Sequence, residues 1–219
     1  MPAFDLKGIR CAKYTKEGET VKYLDLTSVG DAMNVNLDLR FAEGRLYTES
    51  SLSEYMKSAT GGTISIGVKY IPYDAQVLLY KAVKTARDVL SKKIDGIKFT
   101  KKSNGQYVGV AFYAPDMIDE VEKYTCVFIY RALFGPPSMA YQTKGESIVF
   151  QTPTTTGEFL PANTEDGVLL EFAVCDTEDE AVAWTKAVFG ETSSTMKAPA
   201  GAAVATADEL AEPEDATEG

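Results

Sequence analysis

The chain has 219 residues, 45% hydrophobic and 25% charged, with a net charge of −10 and no histidine. That is enough apolar material for a packed core, and the missing histidines exclude Ser-His-Asp and Cys-His nucleophile systems and imidazole metal sites. The acidic balance disfavours phosphate-gripping contacts with nucleic acid.

The opening MPAFDLKGIR carries neither the basic nor the apolar region of a signal peptide, so synthesis in a cytosol is expected, with residence there or exit by a route other than a signal peptide. Gly8 to Thr15 and Thr20 to Leu24 predict a strand pair joined at Lys16-Glu-Gly-Glu. Met33 to Arg40 alternates apolar and polar residues without a fault, placing Met33, Val35, Leu37 and Leu39 on a buried face and Asn34, Asn36 and Asp38 opposite. Thr63 to Tyr70 does the same, with Ile64, Ile66 and Val68 inward and Thr63, Ser65 and Lys69 outward.

Residues 41–62 between these strands read as a long loop, and loops beyond about 12–15 residues are usually functional or disordered. This one holds Phe41, Leu46, Tyr47, Leu52, Tyr55 and Met56, too apolar for a solvated linker. It is expected to be covered by another chain, or by its own domain as a packed hairpin. Gly61-Gly62, with no Lys-Ser or Lys-Thr following, reads as a backbone hinge before a strand and not as a phosphate cradle.

Pro72 and the spacing of Val77, Tyr80 and Val83 or Lys84 predict a helix over Tyr73 to Lys84. Further strands are expected at Gln106–Tyr113, Tyr124–Leu133, Glu146–Thr152 and Val168–Cys175. A second helix is expected from Glu178 to about Phe189, opened by a Thr177–Glu180 capping box and stopped by Gly190. Ala181, Trp184 and Val188 lie along one side of it, a packing stripe.

From Glu191 to Gly219 the text turns to Ala, Thr, Glu, Pro and Gly, with seven acids and one lysine. It reads as a flexible acidic tail of charge −6, leaving −4 on the β domain of residues 1–190. Cys11, Cys126 and Cys175 contain no CxxC pair and read as reduced, small thiols. Asp116, Asp119, Glu120 and Glu122 read as solvated charges at a turn between strands. Neither a calcium-loop spacing nor another catalytic or metal-binding constellation is apparent, so no enzyme activity and no cofactor are expected. The fold expected from these patterns is mainly β, an antiparallel sandwich or barrel with one or two flanking helices.

Three stretches together resemble the major tail protein (tail tube) family of long-tailed, non-contractile bacteriophages. They are Ser58-Ala-Thr-Gly-Gly-Thr-Ile-Ser-Ile-Gly-Val after the segment with Leu46-Tyr47; Tyr107-Val-Gly-Val-Ala-Phe-Tyr followed by Tyr124-Thr-Cys-Val-Phe-Ile-Tyr; and Tyr141-Gln142-Thr143-Lys144-Gly145-Glu146-Ser147-Ile-Val-Phe-Gln-Thr-Pro, continuing to Gly157. The third is the most specific, and the resemblance spans roughly residues 8–175. It implies a structural subunit that closes into hexameric rings stacked as a tube, the conduit for double-stranded DNA. Four strands from each of six copies would line the bore as a barrel of about 24 strands. It also implies a tape measure protein in the bore, tail terminator and distal tail proteins at the ends, no membrane, and assembly in the host cytoplasm into a virion tail.

Within that picture, Asn34, Asn36, Asp38, Thr63 and Ser65 are candidates for the bore wall, since a conduit must not grip phosphates. Arg45, Leu46, Tyr47, Tyr55 and Met56 are candidates for contact with the next ring. One rival is the tube subunit of a contractile tail, a phage-like bacteriocin or a secretion apparatus. A second is a soluble carbohydrate-binding β-sandwich using Tyr107, Tyr113, Tyr124 and Tyr130; an enzyme with a carboxylate pair comes third.

Overall fold

The computed structural model describes residues 5–18, 20–48, 51–118, 120–139, 141, 143 and 152–190. Among them the chain runs β1 (Lys7–Glu17), β2 (Thr20–Ser28), β3 (Ala32–Thr48), β4 (Ser51–Val68), α1 (Tyr73–Tyr80), β5 (Val83–Val89), β6 (Lys92–Lys98), β7 (Tyr107–Ile118), β8 (Val121–Phe134), β9 (Thr154–Phe159), β10 (Leu170–Cys175) and α2 (Glu178–Ala187). The fold is mainly β and every strand pairing is antiparallel. One eight-stranded sheet has the order β2-β1-β7-β8-β9-β4-β3, with β10 also on β8, and β5–β6 stand apart as a two-stranded sheet.

Strand β8 serves two neighbours along one edge. β10 occupies it from Tyr124 to Ile129 and β9 from Ala132 to Phe134. The β9-β4-β3 wing therefore joins the sheet only past Ile129. Ile9, Val110, Ile129, Phe134, Ile64, Ile66 and Phe159 close with α1 residues Leu79 and Tyr80 into the main core. On the other face of β7 and β8, Ala111 and Phe128 pack beneath Phe189, with Trp184 and Val188 alongside. Burial on both faces explains why these two strands read as continuous apolar text, Val108 to Tyr113 and Cys126 to Tyr130, where β3 alternates.

Helix α2 starts on the expected capping box: Glu180 N–H donates to the Thr177 hydroxyl, and the Glu180 side chain accepts from the Thr177 N–H. Gly190 follows at φ 85°, a left-handed stop. Helix α1 is shorter than its periodicity implied. Lys81 takes a left-handed cap at φ 53°, and the expected helical positions Val83 and Lys84 belong to β5. The alternation Val83-Lys84-Thr85 pairs with Lys98-Ile97-Gly96, and that ladder competes successfully with a further helical turn.

Three further expectations change. Residues 41–62 are not a loop, because β3 and β4 continue as one hairpin with only residues 49 and 50 between them. β9 was hidden in Thr-Thr-Thr-Gly text that carries little hydrophobic alternation. Met33 and Leu39 are exposed at 55% and 42%, whereas Val35 and Leu37 pack on the core; β3 ends the sheet, and only its middle is covered. The strand expected at Glu146–Thr152 and the tail 191–219 fall outside the described residues, save Thr152.

Candidate functional site

The wing β9-β4-β3 positions the first candidate surface. Asn34, Asn36 and Asp38 face Gly67, Ser65 and Thr63 across the ladder, and these face Thr154, Thr156 and Glu158 on β9. Side chains of directly opposed residues share a face, so all five bore-wall candidates stand together on the side away from the core. The Asn34 amide lies over Gly67, in the space a Cβ there would occupy. The surface is amide, hydroxyl and carboxylate; Arg40 beside it is tied to Glu158 at 3.0 Å.

The second surface is the free half of the β3–β4 hairpin. β9 pairs β4 only from Gly62 to Gly67, so β4 residues 51–60 pair with β3 alone. Ten strand residues project about 30 Å beyond the sheet. Residues 38–47 and 54–60 are all exposed. The register runs Phe41↔Ala59, Ala42↔Ser58, Glu43↔Lys57, Gly44↔Met56, Arg45↔Tyr55, Leu46↔Glu54 and Tyr47↔Leu52. It thereby splits the inter-ring candidates between two faces.

One face holds a charged network. Glu43 binds Arg45 at 3.5 Å and Lys57 at 3.6 Å, Lys57 lies 4.3 Å from the Phe41 ring centre, and Arg45 lies 5.6 Å from that of Tyr55. Loss of hydration, then the Glu43 carboxylate, raise the Tyr55 hydroxyl above its ordinary pKa. The other face carries Ala42, Gly44, Leu46 and Met56. Glu54 and Ser58 share this face; Met56 is 75% exposed and Leu46 53%, so among the described residues nothing covers these two side chains.

Gly61 and Gly62 are not ahead of a strand, as expected of a hinge, but inside β4 and buried. The ladder skips from Arg40↔Gly61 to Phe41↔Ala59, a bulge where Gly61 adopts φ 143°. A Cβ at Gly62 would collide with the Asp38 carbonyl and the Phe159 ring. The pair marks the close-packed point where the ribbon leaves the sheet. Of Gln142 to Ser147 in the family-like motif, only Thr143 falls within the described residues and is exposed; Gln142, Lys144, Gly145, Glu146 and Ser147 lie outside them.

The tyrosines considered for carbohydrate do not make a platform. Tyr113 is buried and donates to Glu178 at 3.0 Å, Tyr124 packs edge-on against it at 6.3 Å, and Arg131 covers Tyr107 at 3.9 Å. Tyr130 donates to Glu171. Among the described residues no group of three or more His, Cys, Asp or Glu is placed to hold a metal ion. No described helix is long and apolar enough to cross a membrane.

Sequence reasoning missed a third surface. The hairpin β5–β6 and its flanks, residues 81–102, hold eight Lys or Arg against two Asp, a net +6 in a chain of −10. Among the described elements its main contact is with α1, and Leu90 at the tip is 97% exposed. A charge count by window would have found it. No family model and no curated protein matches the chain.

Proposed function

We propose that the protein is the structural subunit of a bacteriophage tail tube, whose copies close into hexameric rings that stack into a conduit for double-stranded DNA. The observation that carries this reading is the β3–β4 ribbon, which leaves the sheet with Leu46 and Met56 uncovered among the described residues. An isolated two-stranded ribbon is marginal in water, and exposed apolar patches mark interfaces. A second chain of the same kind supplies the cover.

Further support comes from the sheet's edges. β2 and β3 end it, each with a row of backbone groups unpaired among the described strands, the open-edge arrangement that closure into a barrel removes. On this reading the face of Asn34, Asn36, Asp38, Thr63 and Ser65 lines the bore, where neutral amides and hydroxyls leave passing phosphates unbound. A tape measure protein occupies that bore during assembly in the host cytoplasm, terminator and distal tail proteins close the ends, and the product is a virion tail.

Deleting residues 44–58 and joining the strands by a short turn tests the reading. The variant is expected to remain folded by circular dichroism and to form no tubes under negative-stain electron microscopy. Full-length tubes from it would remove the ribbon from the assembly contact.

A further inference from the structure

The charges are sorted along the β7–β8 axis. β7 starts beside the cationic hairpin: Gln106, just before β7, donates from its backbone and its side chain to the Leu79 and Leu78 carbonyls of α1. Twelve residues further, at about 3.3 Å each, β7 turns into β8 at the opposite end of the sheet. There Asp116, Glu120, Glu122, Asp176, Asp179 and Glu180 gather from the turn, β10 and the start of α2. Lys123 pairs with Asp176 at 3.0 Å, and Lys7 with Glu178 at 3.2 Å and Asp5 at 4.0 Å.

The two ends also match in their apolar groups. The hairpin tip presents Val89, Leu90 and Ile94 at 46%, 97% and 51% exposure, beside Lys92 and Lys93. Beside the acidic end, Val121, Phe172 and Val174 are exposed at 56%, 59% and 56%. The register Phe172↔Val127 and Val174↔Thr125 places these three on one face of β8–β10. The hairpin tip is apolar and flanked by cations; at the other end Val121, Phe172 and Val174 lie on the face opposite α2, beside Asp116 and Asp176, while Glu122, Asp179 and Glu180 lie on the α2 face, so carboxylates flank that end of the sheet on both sides.

We propose that the β5–β6 hairpin of one copy docks on the acidic, apolar end of a second copy, making a head-to-tail contact. The two patches are different surfaces of the same chain, so the contact is heterologous and can repeat without closing. It deepens the tube reading and rests on it for copies set end to end. A protein occupant is favoured over nucleic acid because Asp88 and Asp95 interrupt the cations and the tip is apolar.

The test reverses charge on each side. K92E/K93E and, separately, E120K/E122K/D179K are each expected to stay folded, with end-to-end self-association weakened about tenfold or more. Mixing the two variants is expected to restore association, because each hairpin then meets an end of opposite sign. Sedimentation at about 50 and about 300 mM salt reads the electrostatic share. Rings that fail to stack in either variant alone support the contact. Tubes unchanged by both reversals, or no recovery on mixing, overturn it and leave the tube reading standing. Salt-sensitive binding of duplex DNA that K92E/K93E abolishes would assign the hairpin to nucleic acid and overturn it too. A wild-type chain that forms no rings removes the tube reading, while recovery on mixing still supports the contact.

Discussion

Gly62 and Gly135 differ in what a methyl group would meet. At Gly62 it strikes backbone and an aromatic ring that cannot yield, and at Gly135 it meets nothing. Gly62→Ala is expected to destabilise the fold by about 3 kcal/mol, against about 0.5 kcal/mol or less for Gly135→Ala, in urea denaturation. Glu178 accepts from Lys7 at 3.2 Å and Tyr113 at 3.0 Å, and these bonds hold its carboxyl below the ordinary carboxylate range. A depressed folded value means the stabilisation is complete above the unfolded pKa and lost as pH falls through the folded one. Stability is therefore expected to drop from about pH 5 towards 3, and Glu178→Gln to flatten that part of the profile. Burial pushes the Cys11 and Cys126 thiols up to about 12. Thiolate is the reactive form, so slow alkylation of both by iodoacetamide at pH 8 is the expected result, read by mass spectrometry.

Among the elements, α2 was legible because every one of its signals is local. The Thr177 cap, the Glu180 reply and Gly190 lie within one short stretch, and Thr177→Ala is expected to cost about 1 kcal/mol in thermal denaturation. The β3–β4 ribbon was legible only up to Arg40 and from Thr63. Between them Glu43, Arg45 and Lys57 share a face with Phe41 and Tyr55, so hydrophobic alternation vanishes although the pairing continues. β5 and β6 were lost similarly, in lysine-rich text beside a short helix. Backbone amides of residues 41–60 are expected to exchange rapidly in the free subunit and slowly in tubes, by hydrogen-exchange mass spectrometry.

At the scale of the whole molecule, the polar wing face carries a consequence for cargo. Lysine at Asn34, Asn36 and Asp38 would set three cations per copy on the proposed bore. Assembly is expected to continue while DNA ejection slows most at low salt. Unchanged ejection kinetics at about 50 mM salt would move this face away from the bore.

The amino-acid order alone determined the mainly β, antiparallel class, the inward Val35, Leu37, Ile64, Ile66 and Val68 of β3 and β4, and the capped second helix. These depend on period-two alternation and on bonds spanning three or four residues, which a linear text displays directly. Only the tertiary structure decided that residues 41–48 and 51–60 are paired strand, exposed at 41–47 and 54–60, that Gly61 and Gly62 are a packed bulge, and that cations and carboxylates sit at opposite ends of β7 and β8. Those facts depend on which strands become neighbours, and contacts such as Gly62 with Phe159 join residues nearly a hundred positions apart.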